Sequence, residues 1–404
     1  MSRMNAGELA IGVLAFVIII AGLHGSIARR HPDSAAAASL RTPIAARVQA
    51  PIKSNRILPD AFVERADRSD PVGYSRPRLA TPLTVIGNAI VDAGGHTIVL
   101  GGIDRNGYKQ PNGADITSHE ADALARWATM VRLEVSTSMI ECDSSPAAWL
   151  ARLDDAVGAL TRRNVVALID LHVSSSTKCG WATTMPMPSK AGATAFWNAI
   201  GARFKDNPLV AFELWNEPHG VSADQWLNGG LVRDALIGTY EAEGMQGMYD
   251  TVVAVSSRNL IFVDGYNWAS DAAPILDGGL GIDPSRTVWA AHVYTCAKPE
   301  DHRCVGDKSN RAFPSSGVSS RGWDSLALTA PVVVTETGFP DPSDGTWLRT
   351  ATTWAGKHSP AIGIVGFASD GPWGGSPFAI LSPRADFAPN PAGAALVEYM
   401  KDVG

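Results

Sequence analysis

Eight short runs dense in Val, Ile, Leu, Ala and Phe, at 98–103, 130–135, 165–171, 209–215, 260–264, 288–292, 332–335 and 362–367, alternate with stretches of helical spacing. Several of these runs are unbroken apolar segments, as parallel strands covered on both faces require. The clearest intervening helix opens at Ser145-Pro146, an N-cap with proline at the first helical position. It carries Trp149, Leu150, Leu153, Val157 and Leu160 at helical spacing. Ahead of the first strand, Asp92-Ala93-Gly94-Gly95 reads as a hairpin turn able to plug one end of a barrel. Eight strand–helix units with right-handed crossovers close into an α/β fold, the (β/α)8 or TIM barrel. A doubly wound open sheet is the structural alternative.

Not all 404 residues belong to that body. Residues 9–28 contain no charged side chain, and 11–20 read IGVLAFVIII. The core of this run has signal-peptide length, while its whole extent is close to that of a membrane-spanning helix. Arg3 in front and the small-x-small Ser26-Ile27-Ala28 favour cleavage; the overall length favours an anchor. Arg29 and Arg30 after the run argue against export. The balance predicts an exported chain, secreted or membrane-anchored and extracytoplasmic. Residues 32–82, with seven prolines and an alanine run at 35–38, read as an extended tether. The expected organisation is therefore 1–31 signal peptide or anchor, 32–82 Pro/Ala-rich linker, and 83–404 catalytic barrel.

Charge divides along the same line. Residues 1–80 hold 11 basic and 6 acidic side chains, leaving 23 basic and 34 acidic in the remainder. With 18% charged and 45% hydrophobic residues and a net acidic balance, the whole chain excludes a disordered protein and argues against a nucleic-acid partner. The four cysteines are even in number, and in an exported chain three disulfide pairings are open. Cys296 and Cys304 share one polar segment, which favours Cys296–Cys304 with Cys142–Cys179; four free thiols are the alternative.

In a barrel of this kind, chemistry lies where the strands end. Bulky polar residues gather there: Arg132, Asp170 and His172, Asn216 and Glu217, Asp264, His292 and Tyr294, and Glu336. The run Leu214-Trp215-Asn216-Glu217-Pro218, the Thr335-Glu336-Thr337-Gly338 run 119 positions after Glu217, and Leu100-Gly101-Gly102-Ile103-Asp104 together resemble glycoside hydrolase family 5, the cellulase family. The similarity covers most of 83–404. The resemblance implies Glu217 as acid/base and Glu336 as nucleophile of a retaining β-glycosidase. It gives Asn216 the sugar 2-hydroxyl and the nucleophile, has Arg132 and Tyr294 hydrogen-bond Glu336, and puts His172 and His292 in the same cleft. A β-1,4-glucan is the expected carbohydrate substrate, with β-mannan, β-1,3-glucan or a glycolipid head group as alternatives. A membrane-tethered carbohydrate-binding protein without catalysis is the reading from another class.

Physical chemistry supports two glutamates independently. Cleavage passes through an oxocarbenium-like state that needs one carboxylic acid to protonate the leaving oxygen and one carboxylate to attack carbon. The charge of Glu336 is expected to raise the pKa of Glu217. One departure stands out: the eighth strand ends Val365-Gly366-Phe367-Ala368-Ser369-Asp370, where family members often carry tryptophan. Trp373 is the nearest substitute. Trp181, Trp268 and Trp323 are expected in upper loops where their faces could stack on sugars, whereas Trp127, Trp149 and Trp197 are expected in the core. His119-Glu120 lacks the second histidine of HExxH, and no GxSxG or P-loop is present, so neither a metal nor a cofactor is expected.

Overall fold

The computed structural model describes residues 76–142, 146–175, 182–256, 258–278, 282–294, 322–338, 345–369, 378–382 and 386–404. The segments read as export signal and most of the tether lie outside these residues. No helix among the described residues is long and apolar enough to cross a membrane.

Eight strands form a closed barrel: β1 (Gly102–Tyr108), β2 (Met130–Ser136), β3 (Val166–Val173), β4 (Val210–Glu213), β5 (Ile261–Asp264), β6 (Thr287–His292), β7 (Val332–Thr337) and β8 (Gly363–Ser369). Each pairs in parallel with its sequence neighbours, and β8 pairs with β1 to close the ring. The principal helices are α1 (Ser118–Ala125), α2 (Pro146–Thr161), α3 (Lys190–Phe204), α4 (Met245–Val255), α5 (Thr346–Ala355) and α6 (Pro391–Val403). Their starts follow local rules. Thr117 accepts from the Glu120 amide at α1, Ser189 from Gly192 at α3 and Asn390 from Gly393 at α6, each satisfying a donor that helix geometry leaves unpaired.

The first strand begins later than its apolar run suggested. Thr97–Ile98 belongs to a three-stranded antiparallel ribbon with Thr84–Ile86 and Ala89–Val91, and β1 runs through the polar Asp104-Arg105-Asn106. That stretch is accommodated because Arg105 faces outward into a buried ion pair with Glu120 on α1, 2.7 Å away. The ribbon's turn forms where expected: Asp92 Oδ1 accepts from the amides of Gly94 and His96 at 2.9 and 3.0 Å.

The ribbon closes the bottom of the barrel. Leu79, Leu83, Val85 and Ile90 pack with Met130, Val166, Leu168, Ala211, Phe262, Val288, Ala290, Val333 and Val365, which point inward from the lower halves of the strands. Leu79 precedes position 83, and Arg76 donates to the carbonyls of Ala125, Arg163 and Asn164. The end of the segment read as tether, 76–82, is thus part of the folded body. Outside the sheet, a second cluster joins the outward strand faces to the helices. Trp127, Trp149 and Trp197 lie in it, as the helical spacing predicted.

The seam near the plug leaves no space at β8. A Cβ added to Gly363 would stand 1.8 Å from the carbonyl oxygen of Leu100, which the backbone cannot vacate without opening the barrel. Gly363→Ala is expected to destabilise the domain by about 3 kcal/mol or more. Gly356→Ala, where the nearest atom is 3.4 Å away and the backbone is helical, should change stability by less than about 1 kcal/mol. Urea unfolding of both variants checks the contrast.

Candidate active site

The period-two alternation of β-strands builds the site directly above the plug. Met130, Leu168, Ala211 and Phe262 point into the lower barrel. Two residues further along the same inward face come Arg132, Asp170, Glu213 and Asp264, all fully buried, and two further again Glu134 and His172. On β7 this rule alone would turn Glu336 outward, because Val333 faces in. The ladder between β6 and β7 shifts register between Ala291 and His292, so that His292 pairs with Glu336. The extra residue re-aims the glutamate into the barrel.

Arg132 is the hub. Its guanidinium reaches Asp104 at 2.6 Å, Glu213 at 2.5 Å, Glu336 at 3.0 Å, Asp170 at 3.0 Å and the side-chain oxygen of Asn216 at 2.8 Å. One guanidinium cannot neutralise four buried carboxylates. Burial, then the neighbouring Glu134, pushes Asp104 well above the usual carboxylate range, and burial raises Glu213 despite Arg132. Both shifts favour the protonated carboxyl over the carboxylate.

Glu336 accepts a second hydrogen bond, 2.6 Å from the Tyr294 hydroxyl. Burial, then the charges of Glu336 and Glu217, holds that phenol well above its ordinary pKa, so it remains a donor. Both supports expected for Glu336, Arg132 and Tyr294, are present. Asn216 sits beside them, but its side-chain oxygen is bound to Arg132.

Glu217 follows β4 with φ +51°, in the left-handed region that side chains seldom adopt. Its Oε1 is 3.3 Å from His292 Nδ1, and the same nitrogen is 3.9 Å from Glu336 Oε2. A carboxylate oxygen of Glu217, one of Glu336 and a nitrogen of His292 all lie within 4.8 Å of one another. The electrostatics differ from expectation here. Burial raises the Glu217 pKa, but the hydrogen bond and charge of His292, followed by His172 and His219, outweigh it and leave it below its ordinary value. His292 moves the other way: burial lowers its pKa, while Glu336 and the Glu217 hydrogen bond bring the net shift upward. The histidine, overlooked as a titration partner, competes with Glu336 for control of the acid/base proton.

A second chain of contacts leads from His172. Its Nδ1 is 2.7 Å from Asp170, and its Nε2 faces Glu134 at 3.9 Å. Burial lowers His172 to about 4, so it is neutral at physiological pH. Glu134 pairs with Lys109, and His172 and Lys109 together overcome burial to hold its carboxyl below the usual range. Glu134 and Glu213 escape a search for polar strand ends because they sit inside apolar runs, and Lys109 because it follows the polar end of β1. For the two glutamates, the inward face they share with Arg132 was the available signal.

Trp268 lies in the turn after β5, its ring stacked on His219 at 3.7 Å and 11°. The backbone amide of Trp268 donates to the Pro218 carbonyl at 2.7 Å, which ties this loop to the residues following Glu217. Trp323 is not a sugar platform. It is fully buried and donates from Nε1 to the Ser270 carbonyl at 3.0 Å, so neither ring face meets the cleft. Trp181 and Trp373 lie outside the described residues. So do Cys179, Cys296 and Cys304; Cys142 is disulfide-bonded, to a partner outside the described residues.

Glu213, Asp264 and His292 also come within 4.8 Å of one another, a spacing that could accommodate a cation. Arg132 already supplies positive charge to Glu213 there, and the groups are read as a hydrogen-bonding cluster. The fold and the site together define a barrel with a paired-glutamate centre of the kind suited to glycosidic bonds. The chain matches the cellulase family, glycosyl hydrolase family 5, over residues 91–359, and belongs to it. It is 27% identical to Endoglucanase A of Butyrivibrio fibrisolvens over 224 residues, 52% of this chain and 45% of that protein. It is 26% identical to Endoglucanase 5 of Pectobacterium carotovorum subsp. carotovorum over 277 residues, 67% of this chain and 47% of that one. The chain thus spans about half the length of these relatives. The barrel superposes on the catalytic domain of the major endoglucanase from Xanthomonas campestris pv. campestris with a TM-score of 0.59 at 20% identity, covering 79% of this chain and 99% of that one. A beta-glucanase from Saccharophagus degradans in complex with cellotetraose gives 0.59 at 20% identity, covering 83% and 96%.

The buried carboxylates predict a specific pH dependence. Burial, opposed by Arg132 and reinforced by Glu134, raises Asp170 from 3.8 to about 7. The native state then keeps a proton that the unfolded chain releases, so this contribution to stability is present below the unfolded pKa and is lost as pH rises through the native one. Asp170→Asn cannot ionise. Between about pH 5 and pH 8 the wild type should lose about 2 kcal/mol relative to this variant, measured by urea unfolding at both pH values.

Proposed function

We propose that the domain is a retaining β-glycoside hydrolase acting on β-1,4-linked glucan in an endoglucanase-like manner. The observation that carries this reading is the pair of carboxylates, Glu217 and Glu336, with oxygens within 4.8 Å of each other. Retaining sites hold their carboxyl groups about 5–5.5 Å apart, and inverting sites about 6.5–9.5 Å to admit a water.

In the reaction, an oxygen of Glu336 attacks the anomeric carbon as the glycosidic bond breaks, and Glu217 gives its proton to the departing sugar oxygen. Arg132 and Tyr294 hold the nucleophile by two fixed hydrogen bonds, so little reorganisation accompanies the attack. Esterification removes the charge of Glu336. Glu217 then takes a proton from water, whose oxygen displaces Glu336 and leaves the product with the starting configuration. Because His292 contacts Glu217, the proton belongs to the Glu217–His292 pair and titrates as such.

The endoglucanase names of the relatives and the cellotetraose bound by the Saccharophagus degradans protein support a glucan substrate. The uncharged run at 9–28 supports action outside the cytoplasm, with the N-terminal segment as a membrane tether if uncleaved. Time-resolved NMR of cellotetraose hydrolysis should detect the β-anomer first; the α-anomer first would overturn the double displacement. Glu217→Gln should lower the rate by about 10²–10⁴-fold, and Glu336→Gln should abolish glycosyl-enzyme formation. Mannotetraose cleaved faster than cellotetraose would overturn the substrate assignment.

A further inference from the structure

His292 has two sides, and only one of them faces the reacting groups. Nδ1 looks toward Glu217 and Glu336, while Nε2 looks down into the barrel, 3.5 Å from Asp264 Oδ1 and 4.0 Å from Glu213 Oε1. All of these inner atoms are buried, and Asp264 Oδ1, Glu213 Oε1 and His292 Nε2 have no other hydrogen-bond partner. Three orphaned polar atoms that face one another have each other as their available partners. A small rotation of the ring or the carboxylate closes the 3.5 Å gap to a hydrogen bond.

We propose that Asp264 is a positioning residue for the acid/base: it accepts the Nε2–H of His292, so that Nδ1 is the nitrogen that exchanges a proton with Glu217. The inference rests on the reading of Glu217 as acid/base. Histidine tautomer choice is set by the hydrogen bond that the other nitrogen makes, and two acidic groups surround Nε2. The carboxyls around Asp264 bear on its charge. Glu213 from β4 and Asp170 from β3 oppose ionisation, Arg132 from β2 favours it, and the Glu217 backbone amide also lowers its pKa, although burial dominates and leaves Asp264 well above the usual range. Protonated or ionised, the Asp264 carboxyl keeps an oxygen that accepts Nε2–H. Around the outer end, Glu336 favours the cationic form of His292 and Arg132 disfavours it, while His172 and His219 bear on Glu217. Asp264 thereby acts on the acid/base through the ring of His292.

The test compares the pH dependence of kcat/KM for cellotetraose between the full chain and Asp264→Leu, which is close in size and removes the acceptor. The basic limb reports loss of the proton that the Glu217–His292 pair shares, and it should fall by about one pH unit in the variant. A lower kcat with the limb unmoved would mean that Asp264 only shapes the site, and would overturn the proposal. A direct readout needs no variant: ¹⁵N shifts of the His292 ring in the wild-type protein should show Nε2 carrying hydrogen at every pH and Nδ1 titrating. A neutral ring protonated at Nδ1 with a bare Nε2 would overturn the proposal even if cellotetraose is not the substrate. Wild-type turnover that survives Glu217→Gln would remove the acid/base assignment instead, an outcome distinct from either.

Discussion

A single guanidinium organises the upper barrel. Arg132 rises from β2 with no access to solvent and gives hydrogen bonds or ion pairs to side chains of β1, β3, β4, β7 and the loop after β4. A buried cation costs several kcal/mol in lost hydration, and only excellent geometry returns it. Here the return is distributed over five partners, so the catalytic carboxylate is held by the same group that reconciles the strands around it. Lysine could not substitute, since a point charge lacks the planar fork that meets several oxygens at once.

The layer below explains why so much charge can be buried. Apolar side chains from the lower strand halves and the ribbon fill one end of the barrel. The inward polar groups occupy the layers above, where they meet one another. Even so, carboxylates outnumber cations, and burial shifts several of them toward the protonated form. Burial prevails at Asp104, Asp170, Glu213 and Asp264, whose carboxyls are raised, whereas His172 and Lys109 outweigh it at Glu134 and His292 outweighs it at Glu217. Proton count thus becomes part of the architecture, a store from which an acid/base centre can be poised.

Most of this architecture was legible in the residues. The barrel, seven of its strands, the plugging hairpin and the central group of Arg132, His172, Asn216, Glu217, His292, Tyr294 and Glu336 are visible as apolar runs with polar ends. β1 was obscured because an outward Arg105 needs a partner on α1, a tertiary contact without local signature. Trp323 failed as a surface aromatic for a similar reason: a short helical turn before β7 resembles a loop in sequence, yet it packs beneath the turn after β5. The direction of the Glu217 shift was misjudged because charge on a distant strand was weighed without the histidine beside it. Pairings in space, more than element types, were what the linear order concealed.

The register shift on β7 has a consequence for comparing such chains. In a regular strand the face of one side chain dictates that of every other, so a hydrophobic requirement at Val333 would bind the placement of Glu336. The added residue uncouples them. Core packing below and nucleophile position above can then drift independently during divergence. An alignment that follows the hydrophobic pattern of this strand will place the carboxylate one position out, on the wrong side of the wall.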